Sequence, residues 1–270
     1  MVLAAGLGTR LRPLTNDRPK ALVEINGRTL LEITITRLKS FGVTEFIVNV
    51  HHHADMIVDY LKSRSNFGLR IEISREEILL DTGGGLKKAA WFFLENPAQV
   101  DQPFFLHNVD VISTIDLAAM LQFHKAHTAL ATLAVQNRET SRYLLFNDQL
   151  QLAGRRSGSD GPPDLVRGST GTPVYPELRR ACAAQPTPQL APSTATVSLH
   201  ALAFSGIHAI SPRLLPMLTE DGIFSIIPAY LRLSAQNENI LAFRADQYYW
   251  RDLGRPDDLA QAALDLRQAI

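Results

Sequence analysis

The chain has 270 residues, of which 46% are hydrophobic and 20% are charged. Its 27 lysines and arginines balance its 27 aspartates and glutamates, so the formal net charge is zero. These values exclude intrinsic disorder, which needs low hydrophobicity or a strong charge imbalance. They also argue against nucleic acid as a partner, because that function needs a basic surface. We predict one domain, spanning residues 1–270, that buries about three quarters of its unfolded surface.

Signals for secretion and membrane insertion are lacking in the sequence. The apolar run at Val2–Ala5 is too short for a signal peptide, and Gly6 and Arg10 interrupt it. No stretch approaches the ~20 apolar residues of a membrane span. Cys182 is the single cysteine, so it cannot form an internal disulfide. We therefore expect a cytoplasmic protein with no membrane partner.

Strand-like and helix-like segments alternate in the first half of the chain. Short apolar runs predict four strands, at Val2–Ala5, Glu45–Val50, Arg70–Ser74 and Pro103–Leu106. Helices are predicted after the capping-box pair Thr29 and Glu32, ending near Gly42, and at about residues 55–61, 86–94 and 116–126. Such alternation forms βαβ units, so we predict an α/β fold whose mainly parallel sheet is covered on both sides. Ligands of these sheets bind beyond the carboxyl ends of the strands, which is where we look for functional residues.

The second half of the chain is less regular. Strands are predicted at residues 129–135, 143–146 and 201–210. A final helix opens at Pro256, with Asp257 and Asp258 in its first turn, where the helix dipole favours negative charge. At about residues 154–198, Gly, Pro, Ser, Thr and Ala dominate. We interpret that segment as a loop-rich surface excursion with one helix at Tyr175–Ala184.

The most informative stretch runs from Leu3 to Lys20. A predicted strand leads directly into a loop with Gly6 and Gly8, followed by Arg10 and by Lys20. Glycines let backbone N–H groups approach a phosphate closely, and the cations neutralise its charge. The dinucleotide fingerprint does not fit, because Leu11 stands where its third glycine belongs, and the Walker pattern lacks its lysine. An ordinary strand-to-helix turn is the alternative interpretation.

This stretch, L-A-A-G-L-G-T-R-L-R-P-L-T followed by R-P-K, resembles the signature of the sugar-phosphate nucleotidyltransferases. Enzymes of that family join a sugar 1-phosphate to a nucleoside triphosphate and release pyrophosphate. The resemblance implies a three-layer, Rossmann-like fold. It implies nucleotide binding by the loop and its cations, which here are Ala4, Ala5, Gly6, Leu7, Gly8, Thr9, Arg10 and Lys20. Arg10 and Lys20 are also implied to be catalytic.

Three later segments extend the resemblance over nearly the whole chain. Residues 81–86 resemble the family's glycine turn against the nucleobase, which implies nucleotide binding by Gly83, Gly84 and Gly85. Residues 104–110 match the strand ending in N-G-D, and residues 250–254 match W-x-D-x-G. These matches imply that Asp110, also catalytic, and Asp252 hold Mg²⁺, a site shared with substrate phosphates. Taken singly, each aspartate is also compatible with an ordinary turn.

The acceptor side matches the family less closely. Asn108 and Gly206 correspond to positions that line the sugar pocket. Val109 replaces a glycine, which is expected to crowd the substrate, and the E-K-P element that supplies a sugar-contacting Glu is missing near Gly154–Arg156. Family members also carry two or three residues before the first strand, where this chain has Met1. Within the family, the sequence looks most similar to N-acetylmuramic acid 1-phosphate uridylyltransferases and to mannose- or heptose-1-phosphate guanylyltransferases.

The resemblance implies transfer of a nucleoside monophosphate, from UTP or GTP in preference, to a sugar 1-phosphate. The partners are these two substrates, and the sequence leaves the nucleobase, the sugar and the oligomeric state open. A catalytically silent nucleotide-sugar sensor is one alternative, because of Val109 and the missing Glu. A nicotinamide-dependent oxidoreductase is a second, which the failed glycine spacing disfavours.

The histidines are not predicted to form a metal site. His51, His52 and His53 follow one another on an extended chain, so their side chains point to opposite faces and cannot converge on one ion. A place on the surface or at the pocket rim is expected for them. His107 and His208 lie nearer the proposed cleft, where a general-base role is a secondary hypothesis.

Overall fold

A ten-stranded sheet forms the centre of the computed structural model, which describes residues 1–95, 101–166 and 198–268. The strands are β1 (Val2–Leu3), β2 (Glu24–Ile25), β3 (Arg28–Thr29), β4 (Glu45–Val50), β5 (Arg70–Arg75), β6 (Phe104–Asn108), β7 (Val111–Ser113), β8 (Ala131–Gln136), β9 (Arg142–Phe146), β10 (Leu152–Ser157), β11 (Asp164–Leu165), β12 (His200–Ile210), β13 (Ile240–Arg244) and β14 (Trp250–Asp252). The helices are α1 (Leu30–Ser40), α2 (Ala54–Ser63), α3 (Asp81–Lys88), α4 (Trp91–Leu94), α5 (Leu117–Ala126), α6 (Ile226–Ala235) and α7 (Pro256–Gln268).

The sheet is parallel in its core and mostly antiparallel in its other half, where β13 and β8 form one more parallel pair. Its main path runs β11-β10-β9-β12-β6-β1-β4-β5, and β8 joins β12 to β13. The neighbours β6, β1, β4 and β5 are parallel, because α1 and α2 carry the chain back between strands. In contrast, β12 runs antiparallel to β6, β8 and β9, and the short β9–β10 connection forms a hairpin. The predicted α/β fold with a parallel core is confirmed.

Two hydrophobic clusters cover opposite faces of this sheet. Along β4, Phe46, Val48 and Val50 belong to one cluster and Ile47 to the other, as the alternation of side chains along a strand requires. Buried residues of α1, α2, α5 and α7 complete the first cluster, and those of α3, α4 and α6 complete the second. The result is the predicted arrangement of three layers.

The first helix shows how local signals set its limits. The Thr29 side chain accepts a hydrogen bond from the Glu32 backbone N–H at 3.1 Å, which confirms the N-terminal cap. At the other end, Gly42 adopts a φ of 84°, and its N–H donates to the Lys39 carbonyl at 2.9 Å. Glycine adopts this left-handed conformation without strain, so α1 ends where the sequence predicts.

Some predicted boundaries are wrong. The strand predicted at Val2–Ala5 ends at Leu3, and the helix predicted at 86–94 is replaced by α3 and α4, so the three glycines lie inside a helix and not in a turn. The excursion predicted at 154–198 begins later, because β10 and β11 pair with the sheet edge up to Leu165. The helix predicted at Tyr175–Ala184 lies outside the described residues. The β7–β14 pair, α6 and β13 were not predicted.

Within the described part of the chain, we find no helix whose length and apolar character suffice to cross a membrane.

Candidate active site

Two adjoining clefts open at the carboxyl ends of β1, β4, β5 and β6. The smaller cleft, of about 350 Å³, is lined by the start of the glycine loop, Ala4–Gly6, and by Lys20. The larger cleft, of about 880 Å³, extends beneath β9, β10 and β12. Asn108 and Asp110 line both clefts, so the end of β6 forms their common wall.

The glycine loop is folded back on the segment that carries Lys20. Gly8 adopts a φ of 64°, and a Cβ atom there would lie 3.0 Å from Thr15 Cγ2 and 3.1 Å from Lys20 Cβ. The Thr15 hydroxyl donates to the Gly8 carbonyl at 2.8 Å. Gly8 therefore allows both the left-handed turn and the close approach of the loop to Thr15 and Lys20. Gly6, Leu7, Thr9 and Arg10 remain exposed to solvent.

Lys20 and Asp110 form an ion pair between the loop and β6. Lys20 Nζ lies 2.5 Å from Asp110 Oδ2, and the lysine side chain is only 9% exposed. Asp110 is 24% exposed, on the side that faces the clefts. A buried ammonium group needs such a partner, so each of the two side chains orients the other.

Asp252 reaches this pair through the short β7–β14 ladder. Asp252 is the register partner of Val111, and the Leu253 N–H donates to the Asp110 carbonyl at 2.8 Å. Burial raises the pKa of Asp252, and the neighbouring Asp110 raises it further, against the opposing effects of Lys20 and Arg10. Its Oδ1 atom is buried and has no hydrogen-bond partner among the described residues. Two adjacent carboxylates, one with an unsatisfied oxygen, fit a divalent cation that also binds substrate oxygens.

Arg10 occupies a space that a glycine leaves open. A Cβ atom on Gly254 would lie 2.7 Å from Arg10 Nη2. The guanidinium group therefore packs directly on the glycine of the W-x-D-x-G segment, and it lines the larger cleft together with Asp252. A side chain at position 254 would require the guanidinium group to move from this position.

Asn108 and Gly206 meet at the wall of the larger cleft. Gly206 has a φ of 73°, and a Cβ atom there would lie 2.9 Å from Asn108 Nδ2 and 3.0 Å from Val111 Cγ2. The β12–β8 register shifts between Phe204 and His208, which places Gly206 in an irregular part of the strand. Both residues line the cleft, as the sequence predicts for sugar-binding positions, but their role remains a prediction.

The three consecutive glycines serve close packing of α3. A Cβ atom would overlap the Phe224 ring at Gly83, and would lie 2.5 Å from the Gly222 carbonyl at Gly84. At Gly85 it would lie 2.7 Å from Glu76 Oε1. The helix lines the smaller cleft through its first residues, Asp81 and Thr82. The nucleotide-binding role implied for the three glycines therefore remains a prediction, and their demonstrated contacts are with the protein.

A buried polar pair behind the smaller cleft was missed by the sequence analysis. Asn49 Oδ1 accepts from the Ala4 N–H at 2.8 Å, and Asn49 Nδ2 donates to Glu76 Oε1 at 2.6 Å. The other Glu76 oxygen accepts from the Leu80 N–H at 2.9 Å. Together these bonds join the ends of β1, β4 and β5 to the start of α3. The sequence does contain a signal for this pair, because Asn49 lies near the end of β4 and Glu76 directly follows β5.

A second missed residue is Arg138, in the larger cleft. Its guanidinium carbon lies 3.7 Å from the centre of the Trp250 ring, and Nη2 donates to the Phe204 carbonyl at 2.8 Å. The Trp250 indole N–H in turn donates to the Ser205 carbonyl at 2.7 Å. Burial lowers the pKa of Arg138, and the neighbouring Asp252 opposes that effect. The tryptophan of the W-x-D-x-G segment therefore supports a cation beside the second carboxylate.

Neither of the two histidines considered as a general base reaches the clefts. His107 and His208 are fully buried, and neither lines a cleft, so the general-base hypothesis is wrong. His51 Nδ1 lies 3.0 Å from the Glu76 carbonyl. Within residues 1–95, 101–166 and 198–268, no group of three or more His, Cys, Asp or Glu side chains is arranged to hold a metal ion.

Val109 crowds the substrate cleft less than the sequence suggests. It is 5% exposed and belongs to the hydrophobic cluster on the α1 side of the sheet. Its N–H donates to the Leu3 carbonyl at 3.1 Å. Although it contributes to the wall of the smaller cleft, most of its side chain is directed into the core.

Comparison with known sequences finds likeness over the whole chain. The family model described as Nucleotidyl transferase matches residues 1–145. N-acetylmuramate alpha-1-phosphate uridylyltransferase of Caulobacter vibrioides is 32% identical over 278 residues, covering 100% of this chain and 97% of that protein. Probable mannose-1-phosphate guanylyltransferase 1 of Oryza sativa subsp. japonica is 37% identical over 145 residues. That match covers 53% of this chain and 39% of the rice protein, so the chain spans well under half of that relative.

Solved structures share the fold at lower sequence identity. HddC from Yersinia pseudotuberculosis complexed with GMP-PN has a TM-score of 0.69 at 19% identity, covering 98% of this chain and 97% of that one. A UDP-glucose pyrophosphorylase complexed with UDP-glucose has a TM-score of 0.71 at 15% identity, covering 100% and 98%. At these identities the likeness establishes the fold alone.

Proposed function

Because the chain belongs to the nucleotidyl transferase family, we propose that it transfers a nucleoside monophosphate from a nucleoside triphosphate to a sugar 1-phosphate. The products are a nucleoside diphosphate sugar and pyrophosphate. UTP and GTP are the favoured donors, since the similar proteins are named as uridylyl- and guanylyltransferases. Residues 1–270 would act as one transferase domain, which the coverage of the Caulobacter relative supports.

The observation that carries this proposal is the common wall of the two clefts. The triphosphate would lie in the smaller cleft along the glycine loop, and the acceptor sugar in the larger one. Asp110 and Asn108 line both, so the two substrates would meet beside these residues. Holding two reactants together in this way removes much of the entropic barrier of a bimolecular step.

Two anions must approach each other in this reaction, so charge is the main obstacle. An oxygen of the acceptor phosphate attacks the α-phosphorus, while the bond to the bridging oxygen of the pyrophosphate breaks. Lys20 lines the smaller cleft, where it can neutralise the triphosphate. Arg10 and Arg138 line the larger cleft near Asp252, where the phosphates of the two substrates would meet. The second pKa of a phosphate monoester is ~6, so the acceptor is already ionised near pH 7 and needs no general base.

Asp110 and Asp252 are the residues that would hold Mg²⁺. The buried, unpartnered Asp252 Oδ1 beside a second carboxylate supports this assignment. When bound, the ion supplies positive charge that stabilises the phosphates during transfer. The protein contributes the fixed position of both carboxylates, which the Leu253 to Asp110 hydrogen bond and the Lys20 ion pair maintain.

The test is a matrix of nucleoside triphosphates and sugar 1-phosphates incubated with the protein and Mg²⁺, with pyrophosphate release as the readout. Release that requires both substrates is expected, with Asp110→Asn as the inactive control. Saturable substrate binding without release for every pair would contradict the proposal and favour a nucleotide-sugar sensor.

A further inference from the structure

The strand that carries Asp252 has little backbone pairing of its own. β14 is three residues long, and in the part of the chain that the structure describes it pairs with β7 alone. Side chains alternate along a strand, so Trp250 and Asp252 face the larger cleft, and Arg251 between them points away from it. A two-stranded ladder is marginally stable by itself, so the position of Asp252 depends on what packs behind β14.

Helix α7 holds Arg251 from behind at several points. Arg251 Nε lies 3.3 Å from Asp265 Oδ2, and Nη1 lies 3.8 Å from Asp258 Oδ1. Arg251 Nε also donates to the Tyr249 hydroxyl at 3.1 Å, and that hydroxyl donates to Asp265 Oδ2 at 2.6 Å. The other Asp265 oxygen accepts from Gln261 Nε2 at 2.8 Å. Asp265 is therefore fixed on both oxygens, and it connects β14 to the helix through two of the strand's neighbouring side chains.

The same helix also contacts the segment that follows Lys20. The β2–β3 hairpin comes a few residues after Lys20, and its Asn26 side chain donates to the Ala263 carbonyl of α7 at 2.9 Å. The hairpin and α7 also contribute buried residues to the same hydrophobic cluster. Lys20 pairs with Asp110, and Asp252 lies beside that pair. Helix α7 therefore supports, from one side of the protein, both segments that converge on Asp110.

We propose that Arg251 is a positioning residue, which fixes Asp252 for binding of a divalent cation by tying β14 to α7. This inference rests on the proposed transferase function, in which Asp252 holds Mg²⁺. Residues that orient a metal ligand without touching the ion typically contribute about 10- to 100-fold to metal affinity. Arg251 acts on Asp252 through the backbone of a short strand, so the lower end of that range is expected.

The sign of the effect separates positioning from electrostatics. Arg251 is a positive charge next to the residue that would bind the cation, and removal of a nearby positive charge strengthens the binding of a cation. An electrostatic role therefore predicts tighter metal binding in Arg251→Gln, whereas a positioning role predicts weaker binding. A contribution to folding alone predicts a lower Tm with unchanged metal affinity.

The experiment measures Mn²⁺ binding to the substrate-free protein by electron paramagnetic resonance, and pyrophosphate release as a function of Mg²⁺ concentration. Arg251→Gln should raise the Kd for Mn²⁺ and the Mg²⁺ concentration for half-maximal release about 10-fold, and should lower kcat at saturating Mg²⁺ less than about 3-fold. Arg251→Lys, which keeps the charge but not the planar fork, should recover part of the affinity. Arg251→Gln combined with Asp265→Asn should cost no more affinity than Arg251→Gln alone, because both changes break one contact.

Arg244→Gln is the matched control, because it breaks another partly exposed arginine–aspartate pair, in which Arg244 Nε lies 2.7 Å from Asp246 Oδ2, on a strand that does not pair with β14. It should leave both metal readouts unchanged. Unchanged or tighter Mn²⁺ binding in Arg251→Gln would overturn the inference, and so would an equal loss of affinity in Arg244→Gln. Mg²⁺-dependent release with unaltered metal affinity in Arg251→Gln contradicts this inference alone. A wild-type protein that does not bind Mn²⁺ saturably contradicts the metal site as well, and no release with any substrate pair contradicts the proposed function itself.

Discussion

Replacement of Gly83 with alanine tests the packing of α3 against the segment at 222–224. Alanine is the better helix former, by about 1 kcal/mol per residue, so intrinsic propensity alone predicts a more stable protein. However, the added Cβ would overlap the Phe224 ring and lie 2.9 Å from the Phe224 carbonyl oxygen. That carbonyl accepts hydrogen bonds from the Gly83 and Gly84 N–H groups, at 2.9 and 3.2 Å, so it is held in place.

The size of the effect follows from these contacts. An ordinary contact of a Cβ atom begins at 3.4 Å, so the Phe224 carbonyl must move by about 0.5 Å and the ring must move further. Overpacking of this kind costs about 1–3 kcal/mol, which outweighs the gain in propensity. Subtracting the gain in propensity leaves an expected net loss of up to about 2 kcal/mol in the free energy of unfolding, or up to about 8 °C in Tm for a chain of this size.

A double-mutant cycle with Phe224→Ala separates the ring from the backbone. Gly83→Ala should cost less in the Phe224→Ala background, because the overlapping ring is gone. Gly84→Ala is the comparison, since its Cβ would lie 2.5 Å from the Gly222 carbonyl, which no side-chain truncation removes. Ile223 lies between these contacts and lines the smaller cleft, so both glycine variants should raise KM for the nucleoside triphosphate and leave KM for the sugar phosphate unchanged.

The refuting result is a Gly83→Ala protein with a higher Tm than the wild type. Such a protein would follow helix propensity, and close packing would then not explain the glycine. Equal costs of Gly83→Ala with and without Phe224 would likewise refute the contact with the ring.

Two further predictions concern charged groups. Asp252→Asn should lower kcat by at least ~100-fold, yet raise the Tm of the metal-free protein, because the raised pKa of Asp252 means that its ionised form destabilises the fold at neutral pH. Thermal denaturation of both proteins with EDTA and with Mg²⁺ measures the change in Tm, and Mg²⁺ should stabilise only the wild type. Near wild-type turnover in Asp252→Asn would contradict the assignment of Asp252 as a metal ligand. Burial lowers the pKa of His107 to about 4 and that of His208 to about 3, so unfolding takes up protons below the unfolded value of about 6.5. The contribution of these two histidines to the free energy of unfolding should therefore be complete above pH ~6.5 and should decrease as the pH falls toward 4, by up to about 1.4 kcal/mol per pH unit for each histidine. Urea unfolding at pH 7 and pH 5 measures the slope, and an unchanged slope in His208→Gln would count against it.

The sequence by itself determined the features that depend on near neighbours in the chain. The α1 helix is defined by Thr29 and Gly42, which act within one turn of its ends. The turn at Gly8 is likewise predictable, because only a few residues separate it from Thr15. Apolar periodicity was sufficient to predict most of the strands around β1 and the class of fold.

The tertiary structure alone decided how distant residues combine. Asp252 reaches Asp110 through the pairing of β14 with β7, two short strands that no local pattern indicates. The glycines of α3 looked like a turn, because the Phe224 segment that requires them lies about 140 residues further along the chain. Arg156 enters the larger cleft because β10 joins the sheet edge beside Tyr143. In each case the stabilising contacts join segments that are far apart in the sequence, so the composition of the local segment does not predict them.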